Sequence, residues 1–298
     1  MIRIAHLSDI HLAPLPSAGA LHLLNKRLTG YLNWRFRRRS SLSGLGLKAL
    51  VDHLHSQEVD FSAVTGDLVN LGLEAEIATA LAWLEDIGPP EKVCVSPGNH
   101  DAYLPGVLTR ACAAWRDYVS GETLDDHMFP FVRRLGEVAV ISCCSAIATP
   151  PFFSAGRFDT QQAERLARIL RLLGDGGYFR IILIHHPPYH AAGTYRSGLW
   201  GGPLFREVIA DVGAEIILHG HTHRSTIHAI PGPTRNDVPV IGVAAAGTAQ
   251  HPRPGDDPAR YNLFAIDRLA TGWTCTMTEY GFGAPGTEVG ALKQVRVY

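Results

Sequence analysis

The chain has 298 residues, 46% hydrophobic and 18% charged, enough apolar material for a sizeable core, so wholesale disorder is excluded. Its 27 basic and 28 acidic residues leave a net charge of −1, which excludes a surface coated in positive charge for nucleic acid. The five cysteines (Cys94, Cys112, Cys143, Cys144 and Cys275) are odd in number and irregularly spaced, which argues against a disulfide framework and for a reducing compartment.

In chain order, residues 2–7 read as a short buried strand ending at Ser8-Asp9. A helix is expected over 47–57 and an apolar strand over 59–65, ending at Gly66-Asp67. A second helix over 74–87 is closed by Gly88-Pro89-Pro90. A strand over 92–95 then runs into Ser96-Pro97-Gly98-Asn99-His100-Asp101. Residues 138–143 form another strand, and 160–173 a helix with Leu166, Ile169, Leu170 and Leu173 on one face. The strand over 180–184 ends at His185-His186, the helix over 205–212 follows, and the strand over 215–218 ends at His219-Gly220-His221-Thr222-His223. Four strands with no helix between them close the chain, at 227–230, 238–243, 261–266 and 273–278. Alternation followed by a run of strands points to layered sheets covered by helices rather than to one doubly wound sheet.

No membrane span is expected, because the uncharged stretch 138–156 is interrupted by Pro150-Pro151 and several hydroxyl residues. The polar residues Ser8 and Asp9 also come too early for a signal peptide, so the expected location is cytoplasmic.

Strand after strand ends in Asp, Asn or His: Asp9 with His11, Asp67, Asn99 with His100, His185 with His186, and His221 with His223. Loops at the carboxyl ends of strands are where such folds assemble sites. Brought together, these imidazoles, carboxylates and one amide fit divalent first-row metals, and no thiol lies in the loops to make a thiolate zinc site.

The series Asp9-Ile10-His11, Gly66-Asp67, Gly98-Asn99-His100-Asp101, His185 and Gly220-His221-Thr222-His223 resembles the calcineurin-like metallophosphoesterase superfamily, over residues 1 to about 248. The resemblance implies an α/β fold, a four-layer αββα sandwich of two mixed β-sheets flanked by helices. It implies one domain over 1–298, with a basic helical insertion at about 14–46. It places one metal on Asp9, His11 and His223, lets Asp67 bridge, and completes the second site with Asn99, His185 and His221. His100 becomes the acid or phosphate contact. Asp101 either orients His100 or caps the following segment, and His186 supports the ligands without binding metal. The cofactor is then two divalent ions, manganese or iron first, zinc or cobalt next. The implied chemistry is in-line attack on phosphorus by a metal-bridging hydroxide, with an acid assisting the leaving oxygen.

Residues 14–46 carry Lys26, Arg27, Arg35, Arg37, Arg38 and Arg39 and no acid, so this stretch is +6 and the remainder −7. Leu21, Leu24, Leu28, Tyr31 and Leu32 recur at helical spacing, while Lys26, Arg27, Trp34, Arg37 and Arg38 occupy other faces. Such a helix can cap the core with its leucines and leave its arginines in water. It can also lie on an anionic membrane, or contact a phosphate-rich ligand, through Arg35, Arg37, Arg38 and Arg39. Within the superfamily the chain is most similar to the class III cyclic-nucleotide phosphodiesterase-like branch, which makes a small phosphodiester the first expected substrate. A phosphoester or pyrophosphate linked to a lipid, met at the inner face of the membrane, is the second. A non-enzymatic binding scaffold comes last, because the implied ligand set is complete.

Overall fold

The computed structural model describes residues 1–16, 25–35, 44–189, 194–233, 237–248, 257–283 and 288–298. Leu21, Leu24, Arg37, Arg38 and Arg39 lie outside the described residues. The first half of the chain contains β1 (Ile2–Leu7), α1 (Arg27–Asn33), α2 (Gly44–His55), β2 (Phe61–Val64), α3 (Glu74–Ile87), β3 (Val93–Val95), α4 (Val107–Ala114), β4 (Phe131–Leu135) and β5 (Val138–Ser142). There follow β6 (Gly156–Arg157), α5 (Thr160–Asp175), β7 (Phe179–Leu183), β8 (Leu199–Trp200), α6 (Gly202–Val212) and β9 (Ile216–His219). The chain ends with β10 (Thr226–Pro231), β11 (Asp237–Gly242), β12 (Arg260–Leu269), β13 (Gly272–Phe282) and β14 (Val289–Arg296).

Two six-stranded mixed sheets form, ordered β14-β13-β12-β1-β2-β3 and β10-β11-β9-β7-β5-β4. Strands β1, β2 and β3 run parallel, in a register that sets Leu7 beside Val64 and Val64 beside Val95. In the other sheet β5, β7, β9 and β11 run parallel, with Leu183 beside Leu218. The metal-type residues that follow these strands therefore leave at matched heights.

Both faces of the central strands β5, β7 and β9 are buried, and side-chain alternation divides the core. Val138, Val140, Ile181, Leu183, Ile216 and Leu218 join the first sheet's strands in one cluster. Their neighbours Ala139, Ile141, Ile182, Ile184 and Ile217 pack in another, with Leu166, Ile169, Leu170 and Leu173 of α5 and Phe205 and Ile209 of α6. The first sheet is covered by α2 and α3, through Leu47, Leu50, Val51 and Leu54 and through Ile77, Ala80 and Leu84. The result is the four-layer arrangement of two mixed sheets between helices. Helix α5 starts where Asp159 accepts a hydrogen bond from the Gln162 backbone. Among the described residues no helix is long and apolar enough to cross a membrane.

Among the described residues, the insertion does not take the arrangement in which its leucines cap the core and its basic side chains stay in water. Helix α1 spans seven residues, and its one basic side chain, that of Arg27, turns inward, as does that of Lys26 just before it. Arg27 donates from Nε to the Leu71 carbonyl at 2.9 Å and from Nη2 to the Gly72 carbonyl at 2.6 Å. Leu28 and Leu32 are the exposed ones, at 47% and 43%. The loop carbonyls of Leu71 and Gly72 accept the guanidinium in charge-assisted hydrogen bonds.

Ile181 sits between the sheets at 1% exposure. Ile181→Ala should lower stability by about 2–5 kcal/mol, read by urea unfolding, because the stacked sheets cannot collapse into the space left behind.

Candidate metal centre

The loops after β1 and β2 are zipped together by backbone hydrogen bonds, from Asp9 N to Gly66 O at 3.0 Å and from His11 N to Asp67 O at 2.9 Å. Gly220 N bonds to His185 O at 3.1 Å, tying the loops after β7 and β9. Asp9, His11, Asp67, His221 and His223 all have left-handed backbone, with φ of 53°, 44°, 55°, 66° and 55°. Such residues are uncommon outside glycine and cost about 1–3 kcal/mol each, so five at one place mark a site that its surroundings hold in strain. Glycine supplies the clearance: a Cβ on Gly98 would fall onto the Asp67 carboxylate, and one on Gly220 onto Ser8 and Asp9.

Three histidines have their tautomers set from behind. His11 Nδ1 lies 3.2 Å from the Val69 carbonyl, His185 Nδ1 2.5 Å from the Thr65 carbonyl, and His221 Nε2 2.8 Å from the Ser197 carbonyl. A carbonyl only accepts, so each of these nitrogens carries the proton and the opposite one presents a lone pair. Those lone pairs meet other acceptors. His11 Nε2 is 3.4 Å from His223 Nε2, 3.9 Å from Asp9 Oδ1 and 3.8 Å from Asp67 Oδ2. His223 Nε2 is 3.1 Å from the buried Asp9 Oδ1. On the other side, His185 Nε2 lies 3.5 Å from Asp67 Oδ2 and 3.2 Å from Asn99 Oδ1, which is 2.9 Å from His221 Nδ1. Two pockets of acceptors result, and Asp67 Oδ2 belongs to both. Lone pairs so arranged need cations between them, and imidazole, carboxylate and amide donors suit first-row divalent metals.

The charges respond accordingly. Burial opposes ionisation of Asp67, but His185, His100 and His11 outweigh it and hold the carboxyl well below its usual range. Burial likewise opposes ionisation of Asp9, and His223 overcomes it. Burial pulls His185 down, yet the Asp67 carboxylate more than reverses this and lifts it to about 9, so Nε2 offers its lone pair to a metal only after giving up a proton. His221 is drawn down by burial, with His185 adding, to about 4, so it stays a neutral donor at pH 7.

His100 stands at the edge of this group. Its backbone N–H donates to Asp67 Oδ1 at 2.7 Å, its Nδ1 meets the Asn70 carbonyl at 2.6 Å, and its ring lies 4.8 Å edge-on from His11. Asp101 does not orient the His100 ring by any hydrogen bond described. Its Oδ2 accepts from the backbone of Asp67 and Gly98, each at 2.9 Å, and its Oδ1 from Leu68 at 3.0 Å and Val69 at 3.3 Å. His186 is buried, with Nδ1 2.8 Å from Ser145 Oγ and Nε2 2.9 Å from the Ser154 carbonyl, and its ring backs His221 at 4.3 Å. Arg35 is exposed. A cavity of about 390 Å³ opens over Asp67, Asn99, His100, His221 and His223. Its wall includes Ser154, Ser197 and Arg224, which sequence reasoning missed. Arg224 follows His223 directly, and that adjacency was the available signal.

Residues 2–225 match the family model described as calcineurin-like phosphoesterase, and the chain belongs to that family. Membership implies a metal-dependent phosphoester hydrolase with a dinuclear metal centre. The fold is similar to that of a dimetal phosphatase from Danio rerio (TM-score 0.62, 12% identity, covering 99% of this chain and 98% of that one). It is also similar to a purple acid phosphatase from yellow lupin (Lupinus luteus) seeds, with TM-score 0.55, 12% identity, and coverage of 99% of this chain and 53% of that one. No curated protein matches the chain significantly in sequence.

Asp101→Asn replaces one oxygen of the loop clamp with a donor that faces backbone N–H groups. The loop carrying Asp67 should loosen, and manganese affinity should fall about 10–100-fold, measured by calorimetric titration of metal-free protein.

Proposed function

We propose that the chain, as a single domain over residues 1–298 with the 14–46 segment built onto it, is a dinuclear metal-dependent phosphodiesterase acting on a small diester of the cyclic-nucleotide type. The observation that carries the reading is the pair of acceptor pockets sharing Asp67 Oδ2. Asp9, His11, His223 and Asp67 would hold one ion, and Asp67, Asn99, His185 and His221 the other. Manganese or iron suits these donors first, zinc or cobalt next. Two divalent ions there supply Lewis acidity, activating water at neutral pH and neutralising charge on the phosphoryl oxygens.

The chain's own contribution is placement and proton transfer. Ser8 Oγ and the His221 backbone N–H donate to Asp9 Oδ2 at 2.7 and 2.9 Å, which turns Oδ1 toward His223 and His11. The Asn70 carbonyl accepts from His100 Nδ1, so Nε2 is the atom that would hand a proton to the departing oxygen, doing so from the imidazolium and leaving the ring neutral with its proton on Nδ1. Arg224, exposed on the cavity wall, is placed to meet a non-reacting phosphoryl oxygen.

A second reading takes a lipid-linked phosphoester or pyrophosphate at the inner, anionic membrane surface. It is favoured by the exposure of Leu28 and Leu32 on α1 and of Phe152 at 80%, close in sequence to Arg35, Arg37, Arg38 and Arg39 or in the facing loop.

The deciding experiment is a hydrolysis screen with added manganese across mono-, di- and pyrophosphoesters, including lipid-linked ones in anionic vesicles. Turnover of soluble diesters supports the first reading; turnover confined to vesicles replaces it with the second. Asp67→Asn should lose metal from both sites and Asn99→Ala mainly from one, by elemental analysis. Wild-type stoichiometry in Asp67→Asn would remove the bridging role. His100→Ala should retain metal and lose about 10²–10⁴-fold on an alkyl or ribose ester, but less on a nitrophenyl ester, whose leaving oxygen needs little protonation. Equal losses on both would make His100 a charge stabiliser instead.

A further inference from the structure

A second cavity, of about 560 Å³, adjoins the first and shares Asn99, His100 and Ser154 with it. Its far wall comes from the insertion, through Lys26, Thr29, Gly30 and Trp34, and from the loop that carries Phe152 and Phe153. We propose that this cavity is the leaving-group pocket of the metal centre, that it takes an aromatic, nucleoside-type group, and that Trp34 and Lys26 select for it. The inference rests on the phosphodiesterase reading, since it concerns what departs from phosphorus beside His100.

The wall is fixed in place. Arg27 is tied to the carbonyls of Leu71 and Gly72, and Tyr31 packs with Leu71, Leu73 and Tyr103. Gly30 lies so close to the Tyr103 hydroxyl that any side chain there would collide with it. The insertion is thus seated against the site. The volume is that of an ordinary small-molecule pocket and accommodates a nucleoside.

The lining favours a flat ring with polar edges over an alkyl chain. Trp34, Tyr103, Phe152 and Phe153 supply aromatic faces, on which any base can stack. Phe152 has left-handed backbone, φ 68°, the one described non-glycine residue with positive φ outside the candidate ligands, and its ring stands out at the mouth. Two buried polar atoms on lining residues have no hydrogen-bond partner among the described residues: the donor Trp34 Nε1 and the acceptor Asn70 Oδ1. The Asn70 amide is oriented by its Nδ2 donating to the Leu12 carbonyl at 3.0 Å, which fixes Oδ1 as the acceptor left over. Both atoms are already closed off from solvent, so the aromatic faces rather than these atoms distinguish a base from an acyl chain. Lys26 is half-buried, with Nζ 2.9 Å from Thr149 Oγ1, 3.4 Å from the Phe153 carbonyl and 4.8 Å over the Tyr103 ring. It holds the insertion to the 149–154 loop and adds a cation beside the aromatic faces.

The test compares two diesters whose leaving oxygens are both primary alkoxides, methyl adenosine-5′-phosphate and methyl glycerol-3-phosphate, on manganese-loaded protein. Wild type should favour the adenosine ester, and Trp34→Ala should cut the adenosine-to-glycerol ratio of kcat/KM about 5–150-fold, mostly through KM. Lys26→Gln should move the ratio the same way. Trp34→Leu, which keeps apolar bulk without the stacking face, should lose the ratio too if Trp34→Ala fails to fold. Calorimetry of adenosine with metal-free protein gives an independent reading: wild type binds and the Trp34 variants bind more weakly. An unchanged ratio, or no adenosine binding, overturns the pocket assignment while leaving the phosphodiesterase reading intact. Preference for an octyl ester with the same Trp34 dependence would assign the cavity to an alkyl group and overturn it as well. Binding that depends on Trp34, with no diester turned over, would retain the pocket and overturn the reaction.

Discussion

Lone pairs aimed at one another set the terms for this structure. Asp9 Oδ1, Asp67 Oδ2, Asn99 Oδ1 and the inward nitrogens of His11, His185, His221 and His223 converge, more acceptors than the N–H groups of His185 and His223 can satisfy. A chain left to itself would turn such groups outward to water. They stay in because the loops are held from behind by atoms that never face the centre. The carbonyls of Thr65, Val69 and Ser197 hold three imidazoles, Asp101 gathers backbone N–H groups of 67–69 and 98, and Glu76 does the same for Asn70, Leu71 and Leu73. The centre is preorganised for cations, and the cost of that preorganisation is spread over the scaffold.

The sheets make the spreading workable. Parallel pairing keeps β1, β2 and β3 level, and likewise β7 and β9, so that five loops start at a common edge. Alternate residues of β5, β7 and β9 belong to two separate cores, so a slip of one residue would exchange the faces and displace His185 and His221 together. The register that buries isoleucines is also the register that aims the ligands.

This dependence explains what could be read in advance. A strand that ends in Asp, Asn or His announces itself, since its apolar run and its polar stop lie next to each other in sequence. Helix 74–87 was legible to the residue, because Glu74 follows a loop and Gly88-Pro89-Pro90 closes it. The supports were not legible. A carbonyl such as that of Ser197 leaves no mark on residue type, and Asp101 reads equally well as a ring partner or a cap until its backbone donors are seen. β4, α4 and β14 were missed for a related reason. β14, an edge strand, is largely exposed, so Lys293 and Gln294 blur its alternation, and α4 is only eight residues long.

The insertion shows the limit most clearly. Helical spacing of leucines with arginines on other faces leaves open whether the leucines cap the core or face outward, and in the structure Arg27 and Lys26 turn in while Leu28 and Leu32 turn out. Periodicity says that two faces differ and is silent about which one the neighbour wants. Here the neighbour is a set of loops around a metal-type site, rich in exposed carbonyls, and cationic side chains satisfy those better than methyl groups do. Connectivity leaves the segment little choice of place, since it departs right after Asp9 and His11 and must return to α2. It therefore packs over the edge where the five loops end. A departure point fixed by the loop after β1 and a surface rich in loop carbonyls bring Trp34 and Lys26 to line one cavity with His100, so the least legible part of the chain forms a wall of the cavity next to the candidate metal centre.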